Sequence, residues 1–99
     1  MAAAAARRYA ANVDHNQPEI VAALRKAGAT VEHLHAVGAG CPDLCVGYNG
    51  ETYLMEIKNP DANGKLNKIQ EAWHDSWVGH ACVVHSVEEA LAELKIGDY

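Results

Sequence analysis

The chain has no apolar run of the roughly 20 residues needed to cross a bilayer, so a membrane partner is not expected. It has too few cysteines for a disulfide framework. Three thiols cannot all pair internally, and the remaining composition suits a cytoplasmic protein, so Cys41, Cys45 and Cys82 are expected to be reduced. The start is not built as a signal peptide either: Ala2 to Ala6 precede Arg7 and Arg8, which puts the charges after the apolar part. Basic excess is also missing. Thirteen acidic residues face eight basic ones, for a net charge of −5 with histidine neutral, and this counts against nucleic acid as a partner. The few basic residues are grouped, however, as Arg7-Arg8, Arg25-Lys26 and Lys58-Lys65-Lys68, and six histidines add charge that is tunable near neutrality.

Ninety-nine residues suffice for one small domain with a modest core. Residues 1–13 favour helix through their alanines but show no apolar stripe, which suits an N-terminal arm or a partner-dependent helix. Asn16, with Pro18 and Glu19 after it, is predicted to cap a helix whose apolar face is Ile20, Ala23, Leu24 and Ala27 and which Gly28 ends. A strand is predicted over residues 30–35. A polar loop covers residues 59–65. A second helix follows over residues 67–77, with Asn67 and Gln70 as a capping box. Its Ile69, Trp73 and Trp77 recur every four residues and read as a buried stripe, and Gly79 closes it. A short strand over residues 81–85 leads into a last helix opened by Ser86, with Val87, Ala90, Leu91 and Leu94 facing inward.

The centre of the chain is residues 38–58, GAGCPDLCVGYNGETYLMEIK. Asn49-Gly50 between two apolar runs is a strong hairpin signal. A two-residue loop there sets Tyr48 opposite Glu51 and, by extension, Asp43 opposite Glu56, with Cβ atoms about 5 Å apart on one face. Lys58 lies two residues beyond Glu56 and points the same way. Opposed carboxylates repel, so such a pair either raises one pKa or holds a cation. An oxygen-only pair suits magnesium or manganese, and an ammonium beside it suits the orientation of water and the stabilisation of phosphorane charge. The hairpin therefore points to metal-assisted phosphodiester hydrolysis. The plainer reading makes Glu56 and Lys58 a solvated stripe on a strand.

These residues carry a family resemblance. Pro42-Asp43, then Glu56-Ile57-Lys58 after a hairpin, resembles the PD-(D/E)XK nuclease signature. Glu19 in the helix before, Gln70 in the helix after, and the Gly38-Ala39-Gly40-Cys41 approach extend the likeness. Together they look like the small stand-alone VRR-NUC nucleases of phages and bacteria, close in fold to Holliday junction resolvases. The resemblance implies an α/β, restriction-endonuclease-like αβββαβ core, a mixed sheet flanked by helices, and a location in the cytoplasm of a bacterial or phage-infected cell. It implies Asp43, Glu56, the backbone carbonyl of Ile57 and Glu19, directly or through water, as ligands of Mg²⁺ or Mn²⁺. Lys58 would orient or deprotonate the attacking water, and Gln70 would help hold that water or a phosphate. The substrate implied is DNA, branched or at a junction, and the assembly implied is a homodimer.

Glu19 and Gln70 each fit a capping box as well as a site. Trp73 and Trp77 read as core or dimer core, and His33 and His35 alternate with Leu34 in reach of the cleft. Two other functions compete with the nuclease. One is a zinc-binding interaction module built on Cys41 and Cys45 with His33, His35, His74, His80 or Cys82. The other is a module that binds nucleic acid or protein without cutting.

Overall fold

The computed structural model describes residues 15–61 and 64–96. The N-terminal arm expected over residues 1–13 lies outside them. The elements follow the order α1 (Gln17–Lys26), β1 (Thr30–His33), β2 (Leu44–Tyr48), β3 (Glu51–Ile57), α2 (Lys68–Ser76), β4 (Ala81–Val84) and α3 (Val87–Glu93). The strands form one four-stranded sheet in the order β1-β2-β3-β4. The first three are antiparallel, and β4 joins β3 in parallel after the crossover through α2. The sheet is therefore mixed, as expected.

The central hairpin has the anticipated register, with Tyr48 opposite Glu51 and Leu44 opposite Met55. Asn49 and Gly50 both take positive φ, 52° and 82°, which is what a two-residue loop matched to the twist of the strands requires. Helix α1 ends at Gly28 in a Schellman arrangement: Gly28 N–H donates to the Arg25 carbonyl and Ala29 N–H to the Leu24 carbonyl. Gly28 has a φ of 103°, which a side chain would resist.

One face of the sheet carries the core. Val31, Leu44, Val46, Tyr53, Met55, Ile57 and Val84 meet Ile20, Val21 and Leu24 of α1, together with Ala90 of α3 and Leu94 just beyond it. Each large side chain buried here contributes about 1.5–3 kcal/mol. The inward residues expected of the last helix are in place, with Val87 and Leu91 packed at the core margin.

Three local expectations are corrected. Asn16 precedes α1 but its side chain makes no cap hydrogen bond to it. Its backbone is already helical, and its amide is drawn off to the ends of β3 and β4, donating to the Lys58 carbonyl at 3.4 Å and to the His85 carbonyl at 3.1 Å. Strand β1 stops at His33, where Leu34 N–H turns to the Asp43 carbonyl. The third correction concerns α2. Its capping box forms as expected, but among the described residues none of its side chains is buried. Ile69 is 64% and Trp77 44% exposed, and Trp73 stacks on Trp77 with ring centroids 4.7 Å apart. Helical periodicity fixed a stripe on α2 but did not supply a surface to bury it.

Candidate active site

The chemistry gathers at the end of the sheet where β1 and β3 finish and β2 begins. Strand β3 alternates until its last residues, and there Met55, Glu56 and Ile57 are all buried. Met55 and Ile57 enter the core, while Glu56 points to the opposite face with 2% exposure. A solvated stripe is excluded by that number.

Asp43 stands one residue before β2. Its Oδ2 accepts a 2.8 Å hydrogen bond from the Ile57 N–H, so the main chain of β3 locks the carboxylate beside Glu56. The two carboxyl groups lie within hydrogen-bonding reach. Burial first, then the charge of Asp43, raises the Glu56 pKa to about 8, against a lowering influence from Lys58. The Lys58 ammonium is 3.6 Å from Glu56 Oε2 and its side chain is largely covered. Glu56 Oε1 is buried and finds no hydrogen-bond partner among the described residues. A paired acid with one orphaned oxygen next to a second acid is a donor set that fits a hard divalent cation.

Gln70 reaches the site from the first turn of α2. Its Oε1 accepts from Asn67 N–H at 3.0 Å, and its Nε2 donates to Glu56 Oε2 at 3.0 Å. The capping use and the site use, alternatives in the sequence, are made by one amide at once. Gln70 thus holds Glu56 directly. The first turn of α2 is pinned from below by Gly40. A Cβ there would lie 2.6 Å from the Ile69 carbonyl oxygen, and the residue has a φ of 85°.

Glu19 is not brought into this cluster. It sits exposed on the outer side of α1, because Ile20, Val21 and Leu24 take the inner side. Among the described residues no three His, Cys, Asp or Glu side chains gather where they could hold a metal. The acidic site is therefore a pair, and a zinc centre on Cys41 and Cys45 lacks the further ligands it needs. The buried polar groups at the start of α1 are two amides, Asn16 just before the helix and Gln17 as its first residue. Asn16 ties Lys58 and His85 together, and Gln17, 4% exposed, shares a 3.4 Å hydrogen bond with His33. His33 and His35 lie with ring centroids 6.4 Å apart.

Two participants were not legible as such. Cys41 is near enough to Glu56 and Asp43 that, after burial, their charges raise its thiol pKa. Its place directly before Pro42-Asp43 was the available signal. His85 Nδ1–H donates to Glu89 Oε1 at 3.0 Å and its Nε2–H to the Gly64 carbonyl at 2.9 Å, tying the loop after Lys58 to α3. No sequence pattern announces that contact.

No family model and no curated protein matches the sequence. Among solved structures the chain is similar to one described as a VRR_NUC domain, with a TM-score of 0.64 and 24% identity over 84% of this chain and 92% of that one. The fold is accordingly the restriction-endonuclease-like α/β fold of that domain.

Proposed function

We propose that the protein is a divalent-metal-dependent nuclease acting on DNA, with Asp43, Glu56 and Lys58 at its centre. The observation that carries this reading is the buried Glu56 beside Asp43, with one oxygen unpartnered and an ammonium 3.6 Å from the other. The VRR_NUC-like fold supports it.

Asp43 and Glu56, with the backbone carbonyl of Ile57, would hold Mg²⁺ or Mn²⁺. Bound there, such an ion supplies Lewis acidity toward a phosphoryl oxygen and lowers the pKa of a bound water. The chain's own groups do the rest. Ile57 N–H fixes the Asp43 carboxylate, and Gln70 fixes that of Glu56. Glu56 in turn holds Lys58, whose ammonium would orient the attacking water and meet charge developing on phosphorus. Gln70 and Asn16 are positioning residues. Glu19 is omitted from the ligand set.

Branched or junction DNA as preferred substrate, and a homodimer that brings two sites to one such substrate, complete the proposal. The test is cleavage of a labelled four-way junction, a flap and a plain duplex, with and without Mg²⁺. The proposal expects metal-dependent cutting that favours branched DNA and is lost in Lys58→Ala. Cutting that survives chelation or Lys58→Ala would defeat it.

A further inference from the structure

Between α1 and β1, the strand at one edge of the sheet, lies a groove of about 300 Å³, lined by Gln17, Pro18, Val21, Ala22, Arg25 and His33. Gln17, Val21 and Arg25 stand four residues apart on one stripe of the helix, so the groove follows it for about 12 Å. Pro18 and Ala22 form the neighbouring stripe, and with Val21 they make an apolar floor. Both ends are polar. At one, Gln17 is 4% exposed and its amide meets His33 at 3.4 Å, while its Oε1 is buried with no partner among the described residues. A buried acceptor left unmet is costly and calls for a donor. At the other, Arg25 gives one N–H to the Val31 carbonyl at 3.0 Å and keeps others to offer, beside an exposed Lys26.

The groove lies close to the carboxylates but on the other face. His33 pairs with Leu44, the residue after Asp43, and Leu34 N–H donates to the Asp43 carbonyl at 2.8 Å. The Cα atoms of His33 and Asp43 are therefore about 6 Å apart. Strand alternation turns His33 with Val31 toward α1, and Asp43 with Glu56 away from it. The groove and the site thus meet over the rim of the sheet.

We infer that the groove holds an unpaired nucleotide of the strand being cut, its base against His33 and the apolar floor and its phosphate at Arg25. The volume suits a small flat ligand. A base offers an amine or imide N–H to Gln17 Oε1 and a ring face to His33, and a phosphate answers the charge of Arg25 and Lys26. A wholly apolar occupant would leave both polar ends unmet. In a duplex the same base N–H groups are spent on the opposite strand, and a duplex is too stiff to turn over the rim. A single strand can do both. The inference rests on the nuclease reading for its substrate and deepens it, by making an unpaired nucleotide beside the cut the feature that is recognised.

The test is fluorescence anisotropy of the full chain in a chelator, with a labelled single-stranded oligonucleotide and a plain duplex of equal length at matched salt. It reads binding without cutting, so it can fail while metal-dependent cleavage stands, and succeed where no cleavage is found. The single strand is expected to bind about tenfold more tightly than the duplex. Ala22→Glu, at an exposed position in the groove, and Arg25→Gln should each weaken single-strand binding about fivefold or more. Lys26→Gln removes the same charge outside the groove lining and should change it by less than about twofold. A photocrosslinking residue in place of Ala22 should label the oligonucleotide. Equal affinity for strand and duplex, or equal losses in Arg25→Gln and Lys26→Gln, would overturn the inference. So would crosslinks from position 22 that reach only another protein chain.

Discussion

The two faces of this sheet are built on opposite principles. On the α1 and α3 side, Ile20, Leu24, Leu44, Val46, Met55, Ile57 and Val84 are fully buried, and the surface is closed by apolar contact. On the other side, Asp43, Glu56 and Lys58 cluster beneath a helix with no buried side chain among the described residues. The first face supplies stability. The second uses it to hold an acid where it would not ionise freely. Residues 55–57 show the division most closely: Met55 and Ile57 enter the filled face, and Glu56 between them enters the polar one.

This contrast can be tested by perturbing each side. The largest expected effect is chemical: Lys58→Ala should lower cleavage on the order of 10²- to 10⁴-fold, with a melting temperature near that of the wild type. Next comes the filled face, where Leu44→Ala should destabilise the fold by about 2–5 kcal/mol in denaturant unfolding. Trp77→Ala on the open face should cost less than about 1 kcal/mol under conditions where the protein is monomeric. Comparable losses at the two positions would erase the distinction.

A further prediction concerns pH. The folded-state pKa of Glu56 is raised to about 8, above its ordinary 4.5, so the folded chain binds the proton more tightly than the unfolded one. The metal-free protein should therefore lose stability as pH rises from about 4.5 through 8. Glu56→Gln should flatten that slope and make the metal-free protein more stable at pH 8.5 than the wild type, read by thermal unfolding in a chelator. The smallest effect lies outside the site. Glu89, then the Gly64 carbonyl, raises the His85 pKa above 6.5. The stabilisation from His85 is present below about 6.5 and fades as pH passes the raised value. His85→Gln should remove that shallow component and leave the Glu56 slope intact.

Much of the fold was legible because local rules and tertiary packing agreed. Asn49-Gly50 fixed the hairpin register, and that register brought Asp43 to Glu56. Asn67 and Gln70 formed the capping box that their spacing announces. Where sequence reasoning failed, a residue had two possible partners and the distant one won. Asn16 had the pattern of an N-cap, but the carbonyls of Lys58 and His85, remote in sequence, took its amide. Ile69, Trp73 and Trp77 had the period of a buried stripe, but periodicity says which residues share a face and not whether anything lies against it. Glu19 had the right element for a ligand, but the apolar residues after it determined which side of α1 faces inward and left it outside.

The central claim is that Asp43 and Glu56 grip a cation. It is tested most directly by calorimetric titration of Mn²⁺ at pH 7.5 in two buffers of different ionisation enthalpy. One ion should bind per chain and release close to one proton, because the cation displaces the proton that Glu56 retains at that pH, and Asp43→Asn or Glu56→Gln should abolish both signals. Absence of binding up to millimolar Mn²⁺, or binding that persists unchanged in both variants, would contradict it.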